Sequence, residues 1–314
     1  MKRGIISLGE ALIDFIPLDQ ENVTYQKSPG GAPANVAVGV ARLDLPSTFI
    51  GKVGDDVLGR FLATTLESYG VNTDSLILTK DTRTGVVFVT LEDGERSFDF
   101  YIDPSADRFL EEKDIRPELI EQHRILHFGS ISLISEPARS ATKKAVALAK
   151  EKGVLVSYDP NLRLGLWETE EAARTQIISM LPYADVLKLS EEELAFITGE
   201  EEISSGVEAL AKYDISLIFV TLGAEGSYVF TKEGNEHVPA RKVKAVDTTG
   251  AGDAFVSAML YMVHEYEKNL SDITVTDAVQ MARFASVSGS LAASEKGAMT
   301  ALPTLEQVQS ILER

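Results

Sequence analysis

The run "STFIGKVGDDVLGRFLATTLES", residues 47–68, changes its hydrophobic period part-way along. "STFIGKVG" reads as a buried extended strand. After it Val57, Leu58, Phe61, Leu62 and Leu66 recur at helical spacing. The same grammar extends in both directions. "GIISLGE" reads as a strand, and "VAVGVARL" as a helix entered through the glycine-rich turn "GGAPAN". "RILHFGS" is a strand ahead of a helix carrying Ala138, Ala141, Ala145, Leu148 and Ala149; "GVLVSYDP", "ADVLKLS" and "SLIFVTLG" continue as strands with helical segments nearby. Strands alternating with helices predict an α/β fold, a doubly wound and mainly parallel sheet flanked by helices. Ligands in such sheets bind beyond the carboxyl ends of the strands, so the turns after "ISLGE", "LVSYDP" and "LIFVTLG" are predicted to converge.

One region departs from this pattern. "TGVVFVTLEDGERSFDFYI", residues 84–102, has two extended runs about "EDGE", with Phe98, Phe100 and Ile102 alternating against Ser97, Asp99 and Tyr101, which predicts a β-hairpin. With a second extended piece near residues 13–27 it is read as a small β-sheet lid, whose other face could pair two copies as a homodimer; a hairpin on the edge of the main sheet is the alternative. No repeat or low-complexity linker interrupts the chain, so residues 1–314 are read as a single domain carrying that lid. Near the end, "TVTDAVQMARFASVSGSLAASEKGAM" predicts a long helix with Gly297 as its C-cap, and "TLEQVQSILER" a closing amphipathic helix.

Composition narrows the function classes. An apolar fraction of 44% over 314 residues can fill a large core. The net charge of −18 would repel a polyanionic backbone, so nucleic acid is not expected as a partner. No apolar run approaches the roughly 18 residues of a membrane span, and Glu10 and Asp14 interrupt the first apolar stretch before a signal core could form, so a cytoplasmic location is expected. The absence of cysteine excludes disulfides and thiolate metal sites, while four scattered histidines would still permit a weak imidazole site.

The residues best suited to chemistry lie in "VDTTGAGDAF", residues 246–255. Gly250 and Gly252 allow positive φ and close approach of a ligand, and a helix beginning near Ala251 offers unpaired N–H groups, which together make an anion cradle. Asp253 falls in the first turn, where the helix dipole is expected to keep it ionised and make it a weak base. That suits phosphoryl transfer to a hydroxyl. A glycine turn with an incidental first-turn acid is the structural alternative. A P-loop and a G-x-G-x-x-G after the first strand are both missing, which weighs against P-loop enzymes and dinucleotide oxidoreductases.

"DTTGAGDAF", together with "GGAPANVAVGVARL" and "GKVGDDVLGRFL" in that order, resembles the C- and N-terminal signatures of the ribokinase-like, or PfkB, carbohydrate kinase family over nearly the whole chain. "GERSFDFYIDPSAD", "HFGSISL" and "DPNLRLGLW" are similar to stretches typical of its fructokinases. The resemblance implies transfer of the ATP γ-phosphoryl group to the 6-hydroxyl of D-fructose. Within the family 2-keto-3-deoxygluconate kinase, ribokinase and a nucleoside kinase are alternatives; of a different class is a non-catalytic sugar-binding regulator that retains the fold.

Residue by residue, the resemblance implies Asp253 as catalytic base, Gly250, Ala251 and Gly252 with the Asp253 amide as anion hole, and Arg163 near the transferring group or acceptor. Asp14, Gly31 and Asn35 match sugar-binding positions, and Phe98 or Phe100 could cover the apolar side of the sugar. Lys188, Thr221, Gly223 and Gly226 match nucleotide neighbours, and Ser190 and Ser286 stand at such positions where the family usually has asparagine. Glu193 matches a residue associated with Mg²⁺, acting through water, although Ser190 with Glu193 also forms a capping box. Asp247, Thr249, Ala292, Glu295 and Gly297 match a K⁺ site built mainly from backbone carbonyls.

Overall fold

The structure, a computed structural model, describes residues 2–92 and 95–313; Asp93 and Gly94 of the "EDGE" turn lie outside the described residues. The strands are β1 (Ile5–Leu8), β2 (Leu12–Pro17), β3 (Tyr25–Gly30), β4 (Ser47–Gly54), β5 (Asn72–Thr79), β6 (Val86–Glu92) and β7 (Glu95–Tyr101). They continue with β8 (Ile125–Phe128), β9 (Leu155–Tyr158), β10 (Val186–Ser190), β11 (Leu217–Thr221), β12 (Ser227–Thr231) and β13 (Gly234–Val238). The helices are α1 (Ala32–Arg42), α2 (Val57–Ser68), α3 (Pro117–Gln122), α4 (Ala138–Glu151) and α5 (Glu170–Met180), followed by α6 (Glu191–Thr198), α7 (Ile203–Leu210), α8 (Ala251–Glu265), α9 (Val275–Ala293) and α10 (Leu305–Leu312).

Nine strands form one sheet in the order β13-β12-β11-β10-β9-β8-β1-β4-β5. The pairs from β11 through β5 are parallel, and only β12 and β13 join antiparallel. Cover on both faces leaves every residue of β1, β4 and β8 buried, which matches the mostly apolar β1 and β8, while β4 also buries Ser47, Thr48 and Lys52. One layer, including α4, α5 and α6, covers a face through Leu126, Val156 and Leu187, while α1, α8 and α9 cover the other through Val36, Val256 and Ala282.

The strand order reverses at β1, which lies between β8 and β4, so the crevice beyond the carboxyl ends of β1 and β8 is the topological switch point. The edge strand β5 is not evident from hydrophobic alternation, because "NTDSLILT" buries only Ser75 and Leu76 fully.

The hairpin is not an edge of this sheet. It forms a separate four-stranded sheet, β3-β2-β6-β7, and the register sets Asp14, Val87 and Phe100 side by side on one face. The opposite face gathers Phe15 stacked on Phe88 at 4.8 Å, with Tyr25 and Tyr101 edge-on at 5.3 and 5.6 Å.

The long C-terminal helix ends earlier than Gly297. The Ala293 carbonyl accepts from the amides of Val246 and Asp247 at 2.8 and 3.2 Å, so α9 stops at Ala293 with Ser294 as its cap. Gly297, at φ +96°, lies in the following loop. No helix among the described residues is long and apolar enough to cross a membrane.

Candidate active site

A cleft of about 540 Å³ opens between the small sheet and the carboxyl ends of β1, β8 and β9. Asp14, Gly31, Asn35, Phe98 and Phe100 line it from the N-terminal side, Arg163 and Lys188 from the middle, and Thr249, Gly250, Gly252 and Asp253 from the C-terminal side. Stretches more than 200 residues apart in sequence thus share one cavity.

The floor is the start of α8. Gly250 is its N-cap at φ +81°, a left-handed conformation that disfavours side chains, and a Cβ there would sit 2.9 Å from the Ala298 Cα. The Ala251 amide donates to the Thr248 carbonyl at 3.1 Å. The amides of Gly252 and Asp253 follow in the first turn, where an α-helix has no carbonyl of its own to offer them. A Cβ added at Gly252 would meet nothing within 4 Å, so the space beside these donors is open to the cleft. Such a surface fits a phosphoryl group.

Asp253 is held by a bond that spacing in the sequence did not reveal: the Asn35 side-chain amide donates to its Oδ2 at 2.7 Å. Asn35 is itself 5% exposed, on the buried face of α1. Contrary to the expectation of a weak base, Asp253 is raised to about 6. Burial is the largest cause; Asp159 adds to it, while the Asn35 bond and the charges of Lys188 and Arg163 oppose it. The helix dipole is outweighed because the carboxylate is removed from water. Asp14 is also raised to about 6, by burial and by Asp253, with Arg163 opposing.

Glu10 also lines this cleft, although sequence reasoning assigned it no role. It is 3% exposed, its Oε1 accepts the Ala32 amide at 3.2 Å, and burial first, then Asp107 and Asp253, push it up to about 8. Its signal was a carboxylate directly after a buried strand.

A second hollow beside the cleft is lined by Asn161, Leu162, Arg163, Lys188, Ser190, Glu192, Glu193 and Phe196. Lys188 is buried and pairs with Asp159 at 3.4 Å. Its burial disfavours the charge, but Asp159, Glu193 and Asp253 more than offset that and raise it. Ser190 and Glu193 do form the capping box of α6. The two Glu193 oxygens accept from the amides of Leu162 and Ser190 at 2.6 and 2.8 Å, so the carboxylate is oriented by the backbone and fits a water-mediated role toward Mg²⁺ rather than a direct one. Among the described residues no group of three or more His, Cys, Asp or Glu side chains is arranged to hold a metal.

The loops holding Asp247 and Gly297 are joined: Asp247 Oδ1 accepts the Thr249 amide at 3.0 Å and Oδ2 the Gly297 amide at 3.1 Å. Ala292 and Glu295 flank the carboxyl end of α9, whose dipole favours a cation there. Thr221, Gly223, Gly226 and Ser286 are not among the residues lining the cleft. Thr221 ends β11 and donates its hydroxyl to the Leu189 carbonyl at 3.2 Å. Gly223 faces open space, whereas a Cβ at Gly226 would lie 2.1 Å from the Val238 carbonyl, so Gly226 serves the turn into β12. Ser286 sits half-buried midway along α9.

Residues 2–305 match the description "pfkB family carbohydrate kinase". The chain belongs to the PfkB family. As a PfkB chain it is 44% identical to fructokinase-1 of Oryza sativa subsp. japonica over 98% of its length and 97% of that relative. Its structure is similar to that of fructokinase from Vibrio cholerae O395 with fructose, ADP and calcium bound, with a TM-score of 0.90, 42% identity and 99% of each chain covered. It is also similar to fructokinase from Xylella fastidiosa with bound ATP, with a TM-score of 0.95, 34% identity, and 100% and 99% coverage.

Proposed function

We propose that the protein is an ATP-dependent fructokinase, transferring the γ-phosphoryl group to the 6-hydroxyl of D-fructose. The observation that carries the chemistry is the Asn35–Asp253 bond, which joins the sugar-side helix to the phosphate-side helix inside one cleft. Asn35 holds Oδ2 of Asp253, leaving Oδ1 to accept the proton of the attacking hydroxyl. Near pH 7 a carboxyl at about 6 is mostly ionised yet more basic than an exposed aspartate, which suits a base that takes its proton late in phosphoryl transfer. Asp14, across the cleft on β2, accepts from sugar hydroxyls, and Gly31 starts the helix that carries Asn35. Phe98 and Phe100 cover the apolar side of the sugar.

The amides of Gly252 and Asp253, with Gly250 shaping the turn, receive the charge that develops on the phosphoryl oxygens, and Arg163 and Lys188 add fixed positive charge nearby. Glu193 would hold Mg²⁺ through water, which supplies neutralisation of phosphate charge when the nucleotide is bound. A K⁺ ion between the loops of Asp247 and Gly297 would keep the start of α8 in order. Thr221, Gly223 and Ser286 flank the nucleotide. The small sheet acts as the lid of the one kinase domain, and its outer aromatic face around Tyr101, which is 64% exposed, pairs two copies. Light scattering that finds only monomer at micromolar concentration would remove the pairing.

The test of the reaction is ADP release with fructose, 2-keto-3-deoxygluconate, ribose and adenosine as acceptors. Fructose is expected to give the highest kcat/KM; preference for another acceptor overturns the assignment, and no turnover with any favours a sugar-binding regulator.

A further inference from the structure

The signature "GKVGDDVLGRFL" marks the family yet lines none of the sugar cleft. Its second aspartate, Asp56, makes four bonds. Oδ1 accepts the amides of Leu58 and Gly59 at 3.0 and 2.9 Å, which caps α2, and also accepts the Thr84 hydroxyl at 2.9 Å. Oδ2 accepts the Thr84 amide at 3.0 Å. The Thr84 hydroxyl oxygen in turn accepts the Gly54 amide at 3.0 Å, so the end of β4, the start of α2 and the root of β6 share one knot.

The two glycines are what let it close. A Cβ on Gly59 would lie 1.9 Å from the Gly54 carbonyl, and one on Gly54 would lie 2.4 Å from Asp56 Oδ2 and 2.7 Å from the Thr84 nitrogen. Burial works against the Asp56 charge, but the donors from Thr84, Gly59 and Leu58 prevail and lower its pKa.

An α-helix needs only the bonds to Leu58 and Gly59 from its cap; the two to Thr84 are additional. Thr84 is 5% exposed and is followed by Gly85, whose carbonyl accepts the Ile13 amide at 3.1 Å, one residue before Asp14. Beyond that contact β2 and β6 run parallel with Asp14 opposite Val87, and both line the cleft. A short chain of hydrogen bonds therefore links the end of β4 in the main sheet to the sugar-facing carboxylate.

We propose that Asp56 is a positioning residue of the sugar site. By gripping Thr84 through its amide and hydroxyl, it fixes the root of the small sheet and with it the placement of Asp14 over the acceptor. This rests on the reading that Asp14 binds the sugar.

The substitution Asp56→Asn removes one of the two grips on Thr84 and spares the cap: an oxygen in the Oδ1 place still accepts the amides of Leu58 and Gly59 and the Thr84 hydroxyl, and only the bond from the Thr84 amide is lost. The asparagine NH₂ would face the Thr84 N–H, donor against donor. A lost bond to a charged acceptor predicts a fructose KM raised on the order of tenfold, with kcat and the ATP KM within about twofold. Thr84→Val should raise the fructose KM in the same way, and Thr84→Ser, which keeps the hydroxyl, should restore it. Asp14→Asn is run beside them. If Asp14→Asn raises the fructose KM and Asp56→Asn does not, or if Asp56→Asn shifts both KM values and kcat together, the latch is refuted while the sugar site stands. If Asp14→Asn leaves the fructose KM unchanged, the sugar-site reading falls and the latch with it.

Discussion

Replacing Asp253 by asparagine should stabilise the fold while disabling the site. The carboxyl of Asp253 is raised from 3.8 to about 6, chiefly because it is buried. At about 1.4 kcal/mol per pH unit, keeping it ionised in the folded state costs about 3 kcal/mol above pH 6. The folded state holds the proton more tightly than the unfolded chain, so this cost is absent below pH 4, grows as pH rises through 4 to 6, and is constant beyond. At pH 5 it is about half the full value. The substituted asparagine carries no charge and can still accept the Asn35 N–H through its own oxygen, so the cost disappears without leaving the Asn35 donor unpaired. Urea unfolding of the wild type and Asp253→Asn at pH 5 and pH 8 measures the difference. The variant should be the more stable at both, with an advantage larger by about 1–2 kcal/mol at pH 8. An advantage that is equal at the two pH values, or a variant less stable at pH 8, would refute a desolvated carboxylate.

Other expectations follow from the same geometry. Since Asp253 and Asp14 are both raised to about 6 and both act as anions, kcat/KM for fructose should fall below pH 6 with a slope approaching two, read from initial rates between pH 5 and 9. Asn35→Ala removes a bond that favours ionised Asp253, so the acid limb of the kcat profile should move to higher pH as the fructose KM rises. Gly250→Ala should lower stability by about 1–2 kcal/mol through its left-handed φ and the 2.9 Å approach to Ala298, with a fall in kcat larger than any change in fructose KM.

The strand and helix grammar that starts at residues 47–68 was sufficient for the parallel strands β1, β4, β8, β9, β10 and β11, because strands buried on both faces alternate with helices of 3.6 period. Strand β5 was hidden because, at the sheet edge, it buries only Ser75 and Leu76 fully, and the early end of α9 was hidden because it depends on the distant amides of Val246 and Asp247. The site was legible as residue types. Its coupling was not, since no spacing rule places Asn35 2.7 Å from Asp253 across more than 200 residues. The basicity of Asp253 was misjudged because the helix start is visible in sequence, whereas the desolvation that outweighs its dipole is a property of the closed cleft. Glu10 and Asp56 were in plain view within motifs, but their partners Ala32 and Thr84 became apparent only once the chain was folded.

The central claim is that Asp253 takes the proton of the fructose 6-hydroxyl as phosphate leaves ATP. Turnover by Asp253→Asn at saturating fructose and ATP, with fructose affinity followed by calorimetry, tests it most directly. With Asp253 as the base, kcat is expected to fall by roughly a thousandfold while fructose binds within a few-fold of the wild-type affinity; a kcat near the wild-type value would contradict it.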